Sequence, residues 1–256
     1  MMVTFIKIGG EFTIMGKGTL KQILLLTDGC SNQGEDPIAI AALAKEEGIT
    51  VNVIGVVEDD RISEQGIEEI KSIALSGGGI SQVVYAQQLA KTVQMVTRKA
   101  MTQTIHGVVN RELTQILGKD QDIEDLPPEK RGQVMEVVDE LGETMDLELL
   151  ILVDTSASMK NKLAMVQEAL TDLSISLNSR LGSNKFSLYS FPGKRKEVDK
   201  LLCWTPKIES LTGVFHKLAS GGITPTGPAL QVAISMFPRK SKRSLLANEY
   251  QEESSM

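Results

Sequence analysis

The sequence has few cysteines and histidines, no excess of positive charge and no long apolar run. Its 256 residues include two Cys and two His, too few for a disulfide scaffold or for a zinc site built only from these residues. Its net charge of −6 argues against binding nucleic acid through bulk charge. The longest apolar runs, such as residues 149–153, fall far short of the roughly 20 residues that a membrane helix needs. The N-terminus also lacks the pattern of a signal peptide, so we expect a soluble, cytoplasmic protein with no nucleic-acid or membrane partner.

The apolar residues that are present are sufficient for a sizeable core. Hydrophobic residues make up 41% of the chain and charged residues 23%, which is ordinary globular usage. Short strand-like runs alternate with helical segments, which predicts an α/β fold with a doubly wound, mainly parallel sheet. The strand-like runs are residues 23–26, 51–57, 82–85, 147–153 and 186–191, and the helical segments are residues 37–47, 63–76, 160–181, 208–218 and 225–237.

Residues 87–146 depart from this alternation. Residues 87–117 read as one long helix or two, with Gly107 as the weak point, and residues 129–141 as an amphipathic helix after an acidic loop at 119–128. We interpret this region as a helical hairpin inserted between two α/β halves. The predicted organisation is an N-terminal extension at 1–18 with a β-hairpin around Gly9-Gly10, halves at 19–101 and 147–237, a helical connector at 102–146, and a polar tail at 238–256.

The clearest chemical pattern is Asp154-Thr155-Ser156-Ala157-Ser158, which follows a strand of buried type and precedes a helix. Loops at the carboxyl ends of parallel strands form binding sites. Three short oxygen-bearing side chains at alternate positions can converge on one point, and such oxygens suit Mg²⁺ or Mn²⁺. The same residues also suit an ordinary helix N-cap, and this pattern alone does not decide between the two.

Two further loops carry oxygen side chains near predicted strands. Thr224 lies in a tight Gly-Gly-Ile-Thr-Pro segment before a helix, and Asp28 lies in Thr-Asp-Gly directly after a buried-type strand. Either loop alone is typical of a turn or a cap. Taken with Asp154, Ser156 and Ser158, they predict a single site for Mg²⁺ or Mn²⁺ with oxygen ligands only.

These three segments and their flanking strands resemble a von Willebrand factor type A (vWA) domain with a metal-ion-dependent adhesion site (MIDAS). That family carries Asp-x-Ser-x-Ser, a Thr within Gly-Gly-x-Thr-Pro and an Asp within Thr-Asp-Gly. The residues around Thr224 most resemble those of its bacterial intracellular branch. The resemblance implies a sheet with strand order 3-2-1-4-5-6. It also implies that the metal ligands are Asp154, Ser156, Ser158, Thr224 and Asp28.

The order of the segments departs from the family. Here Asp28 comes first, then Asp154 and then Thr224, whereas the family has its Asp of Thr-Asp-Gly last. We interpret this order as a circular permutation. It predicts that residues 21–27 pair in parallel with residues 147–153, either within one chain as a monomer or across a swapped homodimer. The length of the connector favours one chain.

The resemblance implies a binding module. In the family, the site holds Mg²⁺ and leaves one coordination position open for a carboxylate from a partner protein. The charges of Asp28 and Asp154 balance a divalent cation, whose open position still prefers an anionic oxygen. We therefore expect no enzyme activity and a partner with an exposed Asp or Glu.

Two alternatives to this binding module stay open. One is a metal-dependent phosphatase or phosphotransferase with Asp154 as nucleophile, although Ser156 stands where such an enzyme would carry a second carboxylate. The other is a vWA scaffold that binds no metal.

Overall fold

The structure, a computed structural model, describes residues 5–8, 11–14, 18–29, 31–58, 63–117, 123–208 and 223–238. Within these residues, helices cover both faces of a six-stranded sheet, as the predicted α/β class requires. The strands are β1 (Phe5–Ile8), β2 (Glu11–Ile14), β3 (Thr19–Thr27), β4 (Ile49–Val57), β5 (Gly78–Tyr85), β6 (Asp146–Asp154), β7 (Asn184–Phe191) and β8 (Asp199–Thr205). The helices are α1 (Pro37–Glu46), α2 (Glu64–Ser76), α3 (Leu89–Leu117), α4 (Pro128–Thr144), α5 (Leu163–Leu177) and α6 (Thr226–Ser235).

The main sheet has the strand order β5-β4-β3-β6-β7-β8. All neighbours are parallel except β7 and β8, which are antiparallel. The predicted pairing of residues 21–27 with residues 147–153 is confirmed, because Lys21 lies opposite Glu148 and Leu26 opposite Val153 within one chain. The edge strand β8 does not correspond to any of the strand-like runs that the sequence predicts.

The two central strands are buried on both faces, which is why their sequences read as continuous apolar runs. Leu24 of β3 and Ile151 of β6 pack in a core with α3, α4 and α5. Leu25 and Leu152, one residue further along, point to the other face and pack with α1, α2 and α6. Successive residues of a strand face opposite sides of the sheet, so each central strand contributes to both cores.

The connector between the halves is helical, as expected, but it is not a separate unit. The helix α3 is continuous over 29 residues and passes through Gly107, which is exposed. The predicted boundary at residue 102 therefore falls inside a helix whose first turns already pack on the sheet, where Leu89 and Val93 are fully buried. Arg180 anchors the end of α4, because its guanidinium donates to the carbonyls of Gly142 at 2.8 Å and Met145 at 2.7 Å.

Other predictions differ from the structure or fall outside it. The helix predicted at 160–181 spans only Leu163–Leu177, because residues 157–159 form a 3₁₀ turn and Asn178 caps the C-terminus. The predicted N-terminal hairpin is confirmed by the antiparallel pairing of β1 with β2. No helix in the described part of the chain is both long and apolar enough to cross a membrane. The turn at Gly9-Gly10, residues 119–122, most of the predicted helix 208–218, Gly221-Gly222 and the tail beyond 238 lie outside the described residues.

Candidate functional site

The site lies at the carboxyl ends of β3 and β6, the two central strands. These neighbours lead into helices on opposite faces of the sheet, since β3 is followed by α1 and β6 by α5. The chain thus turns away in two directions and leaves a crevice between the strand ends, which is where open α/β sheets bind ligands. Asp154 is the last residue of β6, and Asp28 directly follows β3.

Asp154 is fully buried and held by two hydrogen bonds. Its Oδ2 accepts a bond of 2.8 Å from the Thr27 hydroxyl, and its Oδ1 accepts a bond of 2.8 Å from the Ser156 amide. Burial raises the pKa of Asp154 to about 6, although these two hydrogen bonds lower it, and the nearby Asp28 charge raises it further. The two hydrogen bonds fix the orientation of the Asp154 carboxylate, but their donors are neutral and do not balance its negative charge.

A chain of oxygen atoms runs from Ser156 to Asp28. The hydroxyls of Ser156 and Ser158 are 3.1 Å apart, and the Ser158 hydroxyl donates to Asp28 Oδ1 at 2.8 Å. The 3₁₀ turn after Ser156 brings Ser158 to this position. Two segments that are 130 positions apart in the sequence therefore meet in one cluster.

The second oxygen of Asp28 contacts the Lys162 ammonium. Lys162 precedes α5 and is buried, so its charge is taken from solvent together with that of Asp28. Lys162 was not predicted as a site residue. The sequence shows a lysine a few positions after the Asp-x-Ser-x-Ser segment, but no sequence pattern indicates that its side chain reaches Asp28.

Thr224 lies beside the loop that carries Asp28. Its amide donates to the Asn32 side chain at 2.8 Å, and its carbonyl accepts from the Asn32 amide at 3.2 Å. The start of α6 packs closely on the same loop, because a Cβ on Gly227 would lie 1.9 Å from the Glu35 carbonyl oxygen. The structure thus fixes Thr224 to the Asp28 loop by its backbone, through Asn32, another residue that sequence analysis missed.

The structure therefore joins Asp154, Ser156, Ser158 and Asp28 along a short path and attaches Thr224 to the loop that follows Asp28. In the described residues no three His, Cys, Asp or Glu side chains form a group that could hold a metal, so a cation here would depend on hydroxyls as well as carboxylates. These donors are hard oxygens, and the desolvated Asp154 gains from a nearby cation. The residues present fit a hard divalent cation such as Mg²⁺ or Mn²⁺.

A cleft of about 520 Å³ opens next to Thr224. Its apolar lining includes Ile223, Pro225 and Pro192, and the exposed side chains of Arg195 and Lys196 stand at its wall together with Glu35 and Glu197. The loop at 192–198 continues directly from β7, whose last carbonyl, that of Phe191, accepts from the Thr155 amide at 2.7 Å. The cleft is therefore linked through the β7 backbone to the strand end that carries Asp154, and among the described residues its lining includes none of the four residues of the oxygen cluster.

Comparison with known proteins identifies the class. Two models of the von Willebrand factor type A domain match this chain, one over residues 12–99 and the other over residues 149–249. The first match contains Asp28, and the second contains Asp154, Ser156, Ser158 and Thr224. With the six-stranded sheet flanked by helices, these matches show that the chain belongs to the von Willebrand factor type A domain family.

Two individual proteins are similar to this chain over nearly its whole length. The uncharacterized protein YabS of Bacillus subtilis strain 168 is 62% identical over 236 residues, which cover 92% of this chain and 96% of YabS. The crystal structure of an uncharacterized protein from Alicyclobacillus acidocaldarius is 39% identical, covers 91% of this chain and 96% of that chain, and superposes with a TM-score of 0.79. The fold described above is therefore shared with a solved bacterial protein.

Proposed function

We propose that this protein is a metal-dependent protein-binding module, an adaptor or scaffold that captures a carboxylate from a partner. The observation that carries the proposal is the cluster of Asp154, Ser156, Ser158 and Asp28 at the switch point of the sheet. The hydroxyls of Ser156, Ser158 and Thr224 and the carboxylates of Asp28 and Asp154 would hold Mg²⁺ or Mn²⁺. When bound, the cation supplies a positive centre that accepts an anionic oxygen.

The partner in this proposal is a protein with an exposed Asp or Glu. Two carboxylates in the site balance a divalent cation, so an additional carboxylate is attracted by the metal at an open position. The cleft next to Thr224 supports a polypeptide partner, because Ile223, Pro225 and Pro192 give it an apolar surface. The wall of the cleft carries Arg195 and Lys196 together with Glu35 and Glu197, so its charges balance and do not select a partner segment of one sign.

An enzyme that uses Asp154 as a nucleophile is the less supported alternative. The Asp154 side chain is fully buried, and both of its oxygens accept hydrogen bonds. Ser156 also stands where such an enzyme would carry a second carboxylate, so this position supplies no acid–base group for a nucleophilic Asp154. We therefore propose that the protein is not a hydrolase or phosphotransferase. Absence of Mg²⁺-dependent turnover of a generic phosphate ester is the expected result, and turnover that Asp154→Asn abolishes would contradict it.

We also propose that the chain is a circularly permuted member of its family that acts as a monomer in the cytoplasm. The two family matches fall on separate halves, and the order of the metal-site segments is Asp28, Asp154 and Thr224. The pairing of β3 with β6 joins the two halves into one sheet, and the proposed oligomeric state is a monomer. The two cysteines of the chain are too few for a disulfide framework, which favours a cytoplasmic location.

A pull-down with matched variants tests the proposed function. Wild-type protein, Asp154→Ala and the control Asp139→Ala, which removes an exposed carboxylate of α4, are each used as bait in Mg²⁺ and in EDTA. The expected result is a partner retained by wild type and the control only in Mg²⁺, and by Asp154→Ala in neither condition. Binding that survives EDTA and Asp154→Ala would contradict metal-dependent capture and favour the metal-free scaffold.

A further inference from the structure

Lys162 is a buried cation at the centre of the site, and the proposed metal-binding role does not use it. Its backbone belongs to the turn before α5, where its amide donates to the Met159 carbonyl at 2.9 Å and its carbonyl accepts from the Val166 amide at 3.0 Å. Only 9% of its side chain is exposed. A buried ammonium is costly unless it is paired, so its position needs a partner.

Asp28 is that partner, and both oxygens of its carboxylate are engaged in contacts. One Asp28 oxygen accepts from the Ser158 hydroxyl at 2.8 Å, and the other contacts the Lys162 ammonium. The Asp28 side chain is itself only 4% exposed. An Asp28 oxygen that binds a divalent cation therefore has to exchange one of these two contacts.

We propose that the Lys162 ammonium occupies Asp28 in the metal-free protein and competes with the divalent cation for this carboxylate. The inference rests on the proposed function, because it concerns the same metal site. It assigns Lys162 the role of lowering the affinity of the site for the metal.

The charges of the site explain this competition. Asp28 and Asp154 carry two negative charges when ionised, and Lys162 reduces the sum to −1. A divalent cation added beside an unmoved Lys162 changes the sum to +1 and places two cations close together, which is unfavourable in a poorly solvated site. The metal therefore binds only when the ammonium leaves Asp28, and the loss of this ion pair lowers the affinity of the site for the metal.

Direct titration of Mn²⁺ tests the inference without any partner. The free ion is followed by electron paramagnetic resonance in the full-length wild type, Lys162→Met, Lys162→Arg and the control Lys160→Met, which removes an exposed lysine from the same loop. Lys162→Met is expected to bind Mn²⁺ at least about tenfold more tightly than wild type, because a nearby cation has been removed. Lys162→Arg and Lys160→Met should stay within about twofold, since one keeps the charge and the other removes only a solvent-screened one. Equal or weaker binding by Lys162→Met overturns the proposal.

Chemical labelling provides a second readout in the wild-type chain, in case Lys162→Met does not fold. Acetic anhydride modifies exposed, deprotonated amines, and mass spectrometry quantifies each lysine. Lys162 should be modified slowly in EDTA and at least about threefold faster in saturating Mn²⁺, because the cation releases it from Asp28. Lys160 should not change. A rate for Lys162 that does not change while Mn²⁺ is bound overturns the proposal.

The outcomes separate this inference from the proposed function. Tight Mn²⁺ binding that is equal in wild type and Lys162→Met overturns only the competition by Lys162. Absence of Mn²⁺ binding in folded wild type and in folded Lys162→Met overturns both the metal site and the competition.

Discussion

At the scale of single residues, the two carboxylates of the site differ in their environment. Asp154 is fully buried and receives hydrogen bonds but, among the residues that the structure describes, no ion pair, and burial raises its pKa to about 6. Asp28 contacts the ammonium of Lys162. In the absence of metal, the ionised Asp154 therefore destabilises the folded state, whereas Asp28 is part of a buried ion pair.

The first prediction concerns pH and Asp154. Its folded-state pKa of about 6 lies above the model-peptide value of 3.8, so the folded protein binds this proton more tightly than the unfolded chain does. The stabilisation of the folded state by protonation of Asp154 is complete below about pH 4 and is lost as the pH rises through about 6. In EDTA at pH 7, Asp154→Asn should raise the free energy of unfolding by about 3 kcal/mol, and at pH 4 by much less. Urea denaturation at both pH values measures this difference, and a variant that is less stable than wild type at pH 7 would contradict it.

The second prediction is that Asp28→Asn lowers the free energy of unfolding, whereas Asp154→Asn raises it. This change leaves the Lys162 ammonium buried without its counter-charge, which should lower the free energy of unfolding in EDTA by about 2 kcal/mol. The double variant Asp28→Asn, Lys162→Met removes both charges and should regain most of that loss. Urea denaturation of the three proteins checks this, and a single variant as stable as wild type would show that the ion pair does not contribute.

At the scale of elements, the position of Thr224 depends on how α6 packs against the loop after Asp28. Gly34 and Gly227 allow the close approach, since a Cβ on Gly34 would lie 2.3 Å from Pro228 and one on Gly227 would lie 1.9 Å from the Glu35 carbonyl oxygen. The hydrogen bonds between Asn32 and Thr224 join the same two segments. This packing brings Thr224, a proposed ligand near the end of the chain, to the loop that follows Asp28 near its start.

The third prediction compares two glycines. Gly227→Ala should destabilise the protein by about 2 kcal/mol and weaken Mn²⁺ binding, because the new methyl group pushes the start of α6 and Thr224 away from the Asp28 loop. Gly107→Ala in the exposed middle of α3 meets no atom within 4 Å and should stabilise the protein by about 0.5–1 kcal/mol. Thermal unfolding and Mn²⁺ titration of both variants provide the measurement. Unchanged metal affinity in a destabilised Gly227→Ala would show that Thr224 is not positioned by this contact.

Much of the element arrangement is predictable from the sequence, because local patterns determine it. The apolar runs that became β3 and β6 show burial on both faces, and the positions of Asp28 and Asp154 after them required those strands to be neighbours. The extent of α3 was harder to predict, since Gly107 is a poor helix residue that tertiary packing overrides. The contact of Lys162 with Asp28 and the bonds of Asn32 to Thr224 were not predictable, because they depend on side chains that meet only after the sheet has formed.

At the scale of the whole molecule, the two ends of the sheet domain lie close together. The Lys21 ammonium, near the start of β3, donates to the Pro238 carbonyl, just beyond α6, at 2.9 Å. Domains with neighbouring ends tolerate a change in the order of their segments. This proximity supports the proposal that the present chain is a permuted form of its family.

The fourth prediction follows from that proximity. A rearranged chain in which residues 121–256 are followed directly by residues 1–120 should fold as a monomer with the wild-type affinity for Mn²⁺, because every element keeps its neighbours. A control that opens the chain between Val53 and Ile54, in the middle of β4, should not fold, because it breaks a buried strand. Circular dichroism, light scattering and Mn²⁺ titration provide the comparison. A rearranged chain that aggregates as the control does would contradict the permutation.

The central claim is that Asp154, Ser156, Ser158, Thr224 and Asp28 form one divalent-cation site. Anomalous diffraction from crystals of the protein soaked in Mn²⁺ tests it most directly. The predicted result is a single strong manganese peak at the ends of β3 and β6, within coordination distance of the two serine hydroxyls and at least one of the aspartates, and absent from crystals of Asp154→Ala. Well-diffracting wild-type crystals with no manganese peak in this crevice, or with a peak that persists unchanged in Asp154→Ala, would contradict the claim.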